Sequence, residues 1–433
     1  MREGREIWVT GAGMVSPLGG SLEESWRGVR EGRTGVERHP QPGGPPMPGH
    51  FLYHGDVRGF EEPPAVPPKL ASQRKFLNRG SILGLHAVKE AILQAGMDMA
   101  SLPPERKSLY VGAGDFTRLG HLDFYSALRQ TAGPEWRMPA PEALNEAVLH
   151  QVSPFFLLEG LTNNAFSYLS AMYDMMGPNG SMSSLSATGS QALEYCERVL
   201  RMGEADLGIV LGCGSWSNPL ILFEMDGLGI LSRGAEGAAS FRPFDRRRDG
   251  FFPAEGAAAL VLESADRARA RGARPLGRVL GTGNFQELSP ERNLALPRGA
   301  SGRACRQALE EGGLPVKDLA FILPHGSGTR QGDRAELGAL QDLFRKEGAS
   351  SPLSGLKPYT GHMGAASDLG ELLFGLRALA DGVLPPTPGF ERADREFEGM
   401  DIPAAPRSVQ GAAFLSLSLG LGGQASATLV GAP

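Results

Sequence analysis

Two histidines, a lysine and a serine-rich turn are the residues of this chain best placed for acid–base or nucleophilic chemistry. The segment FILPHGSGTRQGDRAE (321–336) delivers His325 from the end of an apolar run, after Pro324 and before Gly326 and Gly328. An isolated histidine is usually structural. One held in a Gly-Ser-Gly-Thr turn, with Asp333 and Glu336 downstream, is a better acid–base candidate. In LKPYTGHMGAASDLGE (356–371), Lys357 and His362 lie five apart across a glycine-containing turn that opens a helix. Glu371 lies on that helix and could reach back as a partner. Singly, Lys357 reads as a surface cation and His362 as a cap residue. SMSSLSATGSQALEYCERVLRMGEA (181–205) runs from a short small-residue strand through a tight turn into an amphipathic helix. Ser186 then sits at or just before the helix N-terminus, where unpaired N–H groups favour negative charge. On that segment alone an N-cap serine is the commoner meaning. LSLGLGGQASA (417–427) is a Gly-rich turn between two C-terminal strands. It lacks the Rossmann glycine spacing and the P-loop lysine, so backbone packing against a site is the better reading than a phosphate cradle.

The elements that must position these residues follow from the apolar pattern. Short apolar runs alternate with helix-period stretches, which predicts an α/β architecture. Strands are expected at Ile7–Thr10, Leu109–Val111, Leu207–Leu211, Ala258–Leu262, Ala320–Leu323 and Ala412–Leu417. The strand near residue 209 is apolar throughout, as expected of one covered on both faces. Leu193, Cys196, Val199 and Leu200 share one helical face, as do Leu369, Leu372, Leu373 and Leu376. Residues 38–68 are proline-rich and read as an irregular surface excursion, and 115–160 as loop and helix punctuated by prolines. A charged helical seam near 264–276 precedes a new strand, dividing the chain into 1–264 and 265–433. No repeat is visible letter by letter.

Bulk properties exclude several classes. At 433 residues the chain is longer than one ordinary domain needs, so two domains or a duplicated core is expected. Hydrophobic residues make up 41% and charged residues 21%, ordinary values for a globular protein. The net charge of −5 offers no basic footprint for nucleic acid. No run approaches the ~18 apolar residues of a membrane span. The N-terminus lacks the apolar core of a signal peptide. Three cysteines (Cys196, Cys213, Cys305) without close pairing or a nearby histidine cluster argue against a disulfide framework or a zinc site. Buried thiols and a reducing, cytoplasmic location are the expectation.

Six segments, in order, resemble the β-ketoacyl synthases of the thiolase superfamily. They are VTGAGMVSPLGGSLEESWRGVREGRTGV (9–36), GPNGSMSSLSATG (177–189), FRPFDRRRDGFFPAEGAAALVLE (241–263), HGSGTRQGDRAE (325–336), LKPYTGHMGAAS (356–367) and LGLGGQAS (419–426). The resemblance implies a duplicated five-layer α/β/α/β/α fold, usually dimeric. It also implies acyl transfer from the phosphopantetheine arm of an acyl carrier protein, with no permanently bound cofactor. Decarboxylation of a malonyl-type extender follows, then carbon–carbon bond formation. By position, His325 and His362 would promote decarboxylation and stabilise the enolate. Lys357 would tune their charge, with Glu371 in support. Asp333 and Glu336 would brace the histidine loop, and Ser327 and Thr329 would contact the pantetheine arm. The N–H of Leu421, beside Gly422, would join that of Ser186 in an oxyanion hole.

The departure is at the nucleophile. Ungapped alignment puts Ser186 where the family keeps cysteine, and Cys196 lies nearly three helical turns further on. A cysteine starts near pKa 8.5 and a helix N-terminus can ionise it. A serine hydroxyl needs a histidine base instead, and yields a less reactive oxygen ester. Three readings follow: a synthase or acyltransferase using Ser186, a chain-length-factor-like partner of a cysteine-bearing synthase, and a malonyl-thioester decarboxylase. Partner subunits of that kind commonly lose the histidines, which are kept here. The protein is accordingly expected as a homodimer or as a heterodimer with a cysteine-bearing synthase. Leu421 also replaces the family's phenylalanine, and Gln424 and Ala425 its threonine and asparagine.

Overall fold

The computed structural model describes residues 5–41, 47–114, 121–159, 161, 163–184, 187–288 and 296–433. All six expected strands form, most of them longer than the apolar run alone. The described sheet comprises β1 (Ile7–Val15), β2 (Lys107–Ala113), β3 (Asn179–Ser183), β4 (Leu207–Ser215), β5 (Glu255–Ser264), β6 (Gly277–Gln286), β7 (Phe321–Leu323), β8 (Ala413–Leu419) and β9 (Gln424–Gly431). Their spatial order is β3-β2-β4-β5-β1-β6-β9-β8-β7.

That order is a duplication. In the first half β2 runs parallel to β3 and β4, and β5 is antiparallel to both β4 and β1. In the second half β7 runs parallel to β8 and to a bridge at Leu353, and β9 is antiparallel to both β8 and β6. Taking Leu353 as a vestigial third strand, both halves read 3-2-4-5-1 in their own chain order. The two half-sheets are joined by the pairing of Ile7–Val9 with Gly277–Val279.

Five helices matter most: α1 (Arg79–Gln94), α2 (Thr188–Arg201), α3 (Arg298–Gly312), α4 (Arg330–Glu347) and α5 (Ala365–Asp381). Helices α2 and α5 pack on each other between the two half-sheets; α1 covers the outer face of the first half and α3 that of the second. The layers are read off the core. Val210, Leu260, Phe321 and Phe414 point inward with Leu193, Cys196, Leu369 and Leu373. Ile209 and Leu211 point outward against α1, and Leu415 and Leu417 outward against α3. This two-sided burial is why the strand near 209 carries no polar alternation.

The duplication also corrects the reading that the letters hold no repeat. Val-x-Gly-x-Gly occurs in both leading strands, VTGAG at 9–13 and VLGTG at 279–283. A Cβ on Gly11 or Gly13 would land on the carbonyls of Ala91 and Ala87 in α1, and one on Gly281 or Gly283 on those of Ala308 and Ala304 in α3. Each glycine pair lets a helix lie directly on its strand, and the alanines four apart repeat the contact. Among the described residues no helix is long and apolar enough to cross a membrane.

Candidate active site

The sheet edges deliver the expected residues. Strand β7 ends at Leu323, so His325 emerges at its C-terminal edge, where open α/β sheets carry ligands. Its loop is tied down from below by α4. Glu336 accepts the N–H groups of His325 (2.5 Å) and Gly326 (2.9 Å). Asp333 accepts those of Gly328 (2.9 Å) and Phe244 (2.7 Å), and the Ser327 hydroxyl at 3.3 Å. The Arg248 guanidinium lies 3.4 Å from Asp333. Burial pushes the Asp333 carboxyl up to about 6, against the pull of Arg248. Burial likewise pushes Glu336 up to about 8. Thr329 caps α4 by accepting the Gly332 N–H, and its hydroxyl meets that of Ser327 at 2.8 Å.

Lys357 opens a single helical turn and is buried. Its ammonium donates to the His325 carbonyl (2.5 Å) and to Glu371 on α5 (2.8 Å). Burial raises Glu371 to about 7, opposed by the Lys357 charge. Its second oxygen has no hydrogen-bond partner among the described residues.

His362 is held on every side. Its N–H donates to the Phe252 carbonyl and its own carbonyl accepts from Ala254, both at 2.9 Å. Its ring lies 4.8 Å from the Trp216 ring at 29°, and 4.8 Å from Phe251 at 50°. The N–H of Gly364 points at its Nδ1, at 3.2 Å. An Nδ1 that accepts a bond carries no proton, so the neutral ring has its hydrogen on Nε2. The two imidazoles meet edge to face with centroids 5.2 Å apart. Burial, then the Lys357 charge, holds both well below the ordinary histidine value. Both are neutral at pH 7.

Around them is a small apolar cavity of about 60 Å³, walled by Trp216, Phe251, Met225, Ile230 and Leu421, with His325, His362, Ser327 and Thr329 on its polar side. Lys357, Glu371, Asp333 and Glu336 stand behind it. Gly422 is exposed in the β8–β9 turn and its carbonyl accepts from Gln286 (3.3 Å). It does not line the cavity.

Ser186 lies outside the described residues, as does Leu185. What flanks them is informative. Strand β3 ends at Ser183 and α2 begins at Thr188, with Ala187 between at φ +51°, a left-handed conformation costly for a residue with a Cβ. The start of α2 is pinned by Asp368 of α5, which accepts the Gly189 N–H at 3.0 Å and also bonds Ser418 and the Ser190 backbone. Burial raises Asp368 to about 6.

The sequence reading missed Asp368, Trp216 and Phe251. Asp368 stands three before Glu371, on the same helical face, a spacing that could have flagged it. Trp216 directly follows β4, at the type of edge that exposed His325. All three cysteines are buried, and burial pushes the Cys196 thiol far above its usual range. His39, His54 and Asp56 cluster tightly enough to invite a metal. Their imidazoles, however, stack at 3.7 Å and within 4° of parallel, so their lone pairs do not converge on one point. His54 instead bonds Asp56 at 2.8 Å.

Residues 4–268 match the family model described as Beta-ketoacyl synthase, N-terminal domain, and 276–391 that of its C-terminal domain. The 3-oxoacyl-[acyl-carrier-protein] synthase 2 of Vibrio harveyi is 28% identical over 94% of this chain and 92% of its own. The protein of that name from Staphylococcus aureus (strain COL) is 26% identical over 98% and 97%. A solved beta-ketoacyl synthase from Burkholderia phymatum superposes with a TM-score of 0.81 at 25% identity, covering 99% of this chain and 100% of that one. The structure of a type II PKS acyl-carrier protein in complex with its ketosynthase superposes at 0.83 and 23% identity, covering both chains fully, a likeness of fold.

Proposed function

The chain belongs to the β-ketoacyl synthase family, and from that premise we propose that it is a ketosynthase-type acyltransferase. Its substrates are acyl chains carried on the phosphopantetheine arm of an acyl carrier protein, in type II fatty-acid or polyketide synthesis. The observation that carries the reading is the pair of neutral, buried imidazoles facing one cavity with the Lys357–Glu371 pair behind them. Serine occupies the family's cysteine position, and Ser186 is the nucleophile.

The steps follow from the residues. The Ser186 oxygen attacks the acyl thioester carbonyl, its proton passes to a histidine, and the pantetheine thiol leaves carrying a proton. In the second stage a malonyl-type thioester loses its carboxylate as CO₂. The electron pair of the breaking bond enters the thioester as an enolate, whose oxygen accepts hydrogen bonds from the histidines. His362 suits that role, because its tautomer fixes an Nε2–H donor. The enolate carbon then attacks the Ser186 ester, the carbon–oxygen bond breaks, and the released serine oxygen takes up a proton supplied by solvent. Ser327 and Thr329 meet the pantetheine arm at the cavity's polar side, and the N–H of Leu421 pairs with that of Ser186 in the oxyanion hole.

One observation favours a second reading. Histidines held so far below their ordinary value are good hydrogen-bond donors and poor bases. Enolate stabilisation needs the donor, whereas serine activation needs the base. A malonyl-thioester decarboxylase therefore uses this site more directly than a serine nucleophile does. Intact-mass analysis with acyl- and malonyl-carrier proteins separates the two. An acyl adduct lost in Ser186→Ala supports the acyltransferase. CO₂ release without an adduct supports the decarboxylase, and neither activity overturns both. Turnover only on adding a cysteine-bearing synthase identifies a heterodimer rather than a homodimer.

A further inference from the structure

We propose that Trp216 is a positioning residue, which fixes the plane of the His362 ring so that His362 presents Nε2–H to the cavity. The indole is buried and anchored twice. Its backbone N–H donates to the Ala254 carbonyl and its ring N–H to the Gly114 carbonyl, both at 3.2 Å. Ala254 also donates to the His362 carbonyl, so the Trp216 backbone and the His362 backbone hang from the same residue. The indole face lies on the imidazole, and Phe251 closes its other flank.

Two glycines are shaped to this indole. A Cβ on Gly364 would sit 2.7 Å from the Trp216 ring, and one on Gly114 would sit 3.1 Å from its nitrogen. Gly364 has φ +60° and ψ −134°, a region open essentially to glycine alone. The same Gly364 supplies the N–H that His362 Nδ1 accepts. Trp216, Gly364 and His362 therefore interlock: the glycine makes room for the indole, orients the imidazole from one edge, and leaves its face to Trp216. The charged and titratable groups facing His362 are Lys357, itself paired with Glu371, and His325. Neither fixes the ring plane. Without the indole, water reaches the imidazole face, the Nδ1 bond competes with solvent, and the ring turns.

The kinetic half of this inference rests on the enolate-stabilising role given to His362 above; the tautomer half does not. Nitrogen NMR of ¹⁵N-histidine-labelled protein, assigned with His362→Gln, reads the tautomer directly. The wild-type ring should show a bare Nδ1 and a protonated Nε2 across pH 6–8. In Trp216→Ala, mixed tautomers and a titration nearer the ordinary histidine value are expected. CO₂ release from malonyl carrier protein should fall roughly 10- to 100-fold in kcat, the scale of a misplaced reacting group, with KM changing much less. Trp216→Phe keeps an aromatic face but lacks the Gly114 bond, and should lie between the two; it also serves if the alanine variant does not fold. An unchanged His362 tautomer and titration in both folded variants overturns the proposal. If wild-type protein releases no CO₂, the functional reading fails and the NMR comparison still decides the role of Trp216.

Discussion

Raising the pH from 6.5 to 8.5 should destabilise this fold by about 2 kcal/mol, and Glu336 should account for most of the loss. Its carboxyl is buried beneath the His325 loop and pushed up to about 8, while Glu371 stands at about 7. In the unfolded chain both revert to ordinary carboxyls and are ionised throughout this window. At pH 6.5 the folded protein therefore holds nearly two protons that the unfolded chain does not. Stability is full below the unfolded value and is lost as the pH rises through the folded one. Integrated across the window, Glu336 contributes about 2 kcal/mol of loss and Glu371 about 1. The two histidines oppose this. Their folded values are depressed, so their stability is lost as pH falls, and raising it from 6.5 returns about 1 kcal/mol for the pair. Urea unfolding at the two pH values measures the balance. Glu336→Gln cannot titrate; it should be less stable at pH 6.5, since its amide cannot accept both backbone N–H groups, and its pH slope should nearly vanish. A wild-type stability that is flat or rising over this range, or a slope that survives in Glu336→Gln, refutes the reasoning.

Four further outcomes are expected. Lys357→Met leaves the Glu371 carboxyl buried without its cation; it should cost about 3–5 kcal/mol at pH 8.5 and less at pH 6, where Glu371 can take a proton. Denaturant melts at both values check this. Ser186→Ala should lose any acyl adduct by mass spectrometry yet release CO₂ within roughly twofold of wild type, because decarboxylation needs the donors and not the nucleophile. Ser186→Cys should raise condensation by at least roughly tenfold, since a thiol is readily ionised at a helix N-terminus. Asp368→Ala strands the buried Gly189 N–H, a loss of about 1–3 kcal/mol, and hydrogen exchange at 187–190 should accelerate.

How much was legible depended on whether a residue's role is written in its own neighbourhood. His325 stood out because a strand, a proline and two glycines surround it. Asp333 and Glu336 followed because their helix begins five residues later and its first turns face the loop they brace. Lys357 and Glu371 were readable as a reach-back pair. Trp216 was not, because its role lies in contacts with Gly114 and Gly364, 102 and 148 positions away, and no local pattern encodes either. The duplicated core was expected from length and resemblance, but its repeat in the letters was hidden for a similar reason. Two halves can share a strand order while sharing only the glycines that let a helix touch a strand, and five letters are lost among 60 glycines.

The duplication also explains where the chemistry sits. In each half the central helix follows the third strand position, α2 after β3 and α5 after the bridge at Leu353. In the chain Ser186 stands two residues before α2 and His362 three residues before α5. Both helices begin on a residue of positive φ, Ala187 at +51° and Gly364 at +60°. Glycine meets that demand without strain, whereas alanine must be held there, by the Asp368 contacts that lock α2 onto α5. The start of α2 is bound to α5 through Asp368, which accepts the Gly189 N–H, and the start of α5 gives its Gly364 N–H to His362 Nδ1. A site built on that junction favours developing negative charge whichever atom carries it, the oxyanion of an acyl transfer or the enolate of a decarboxylation.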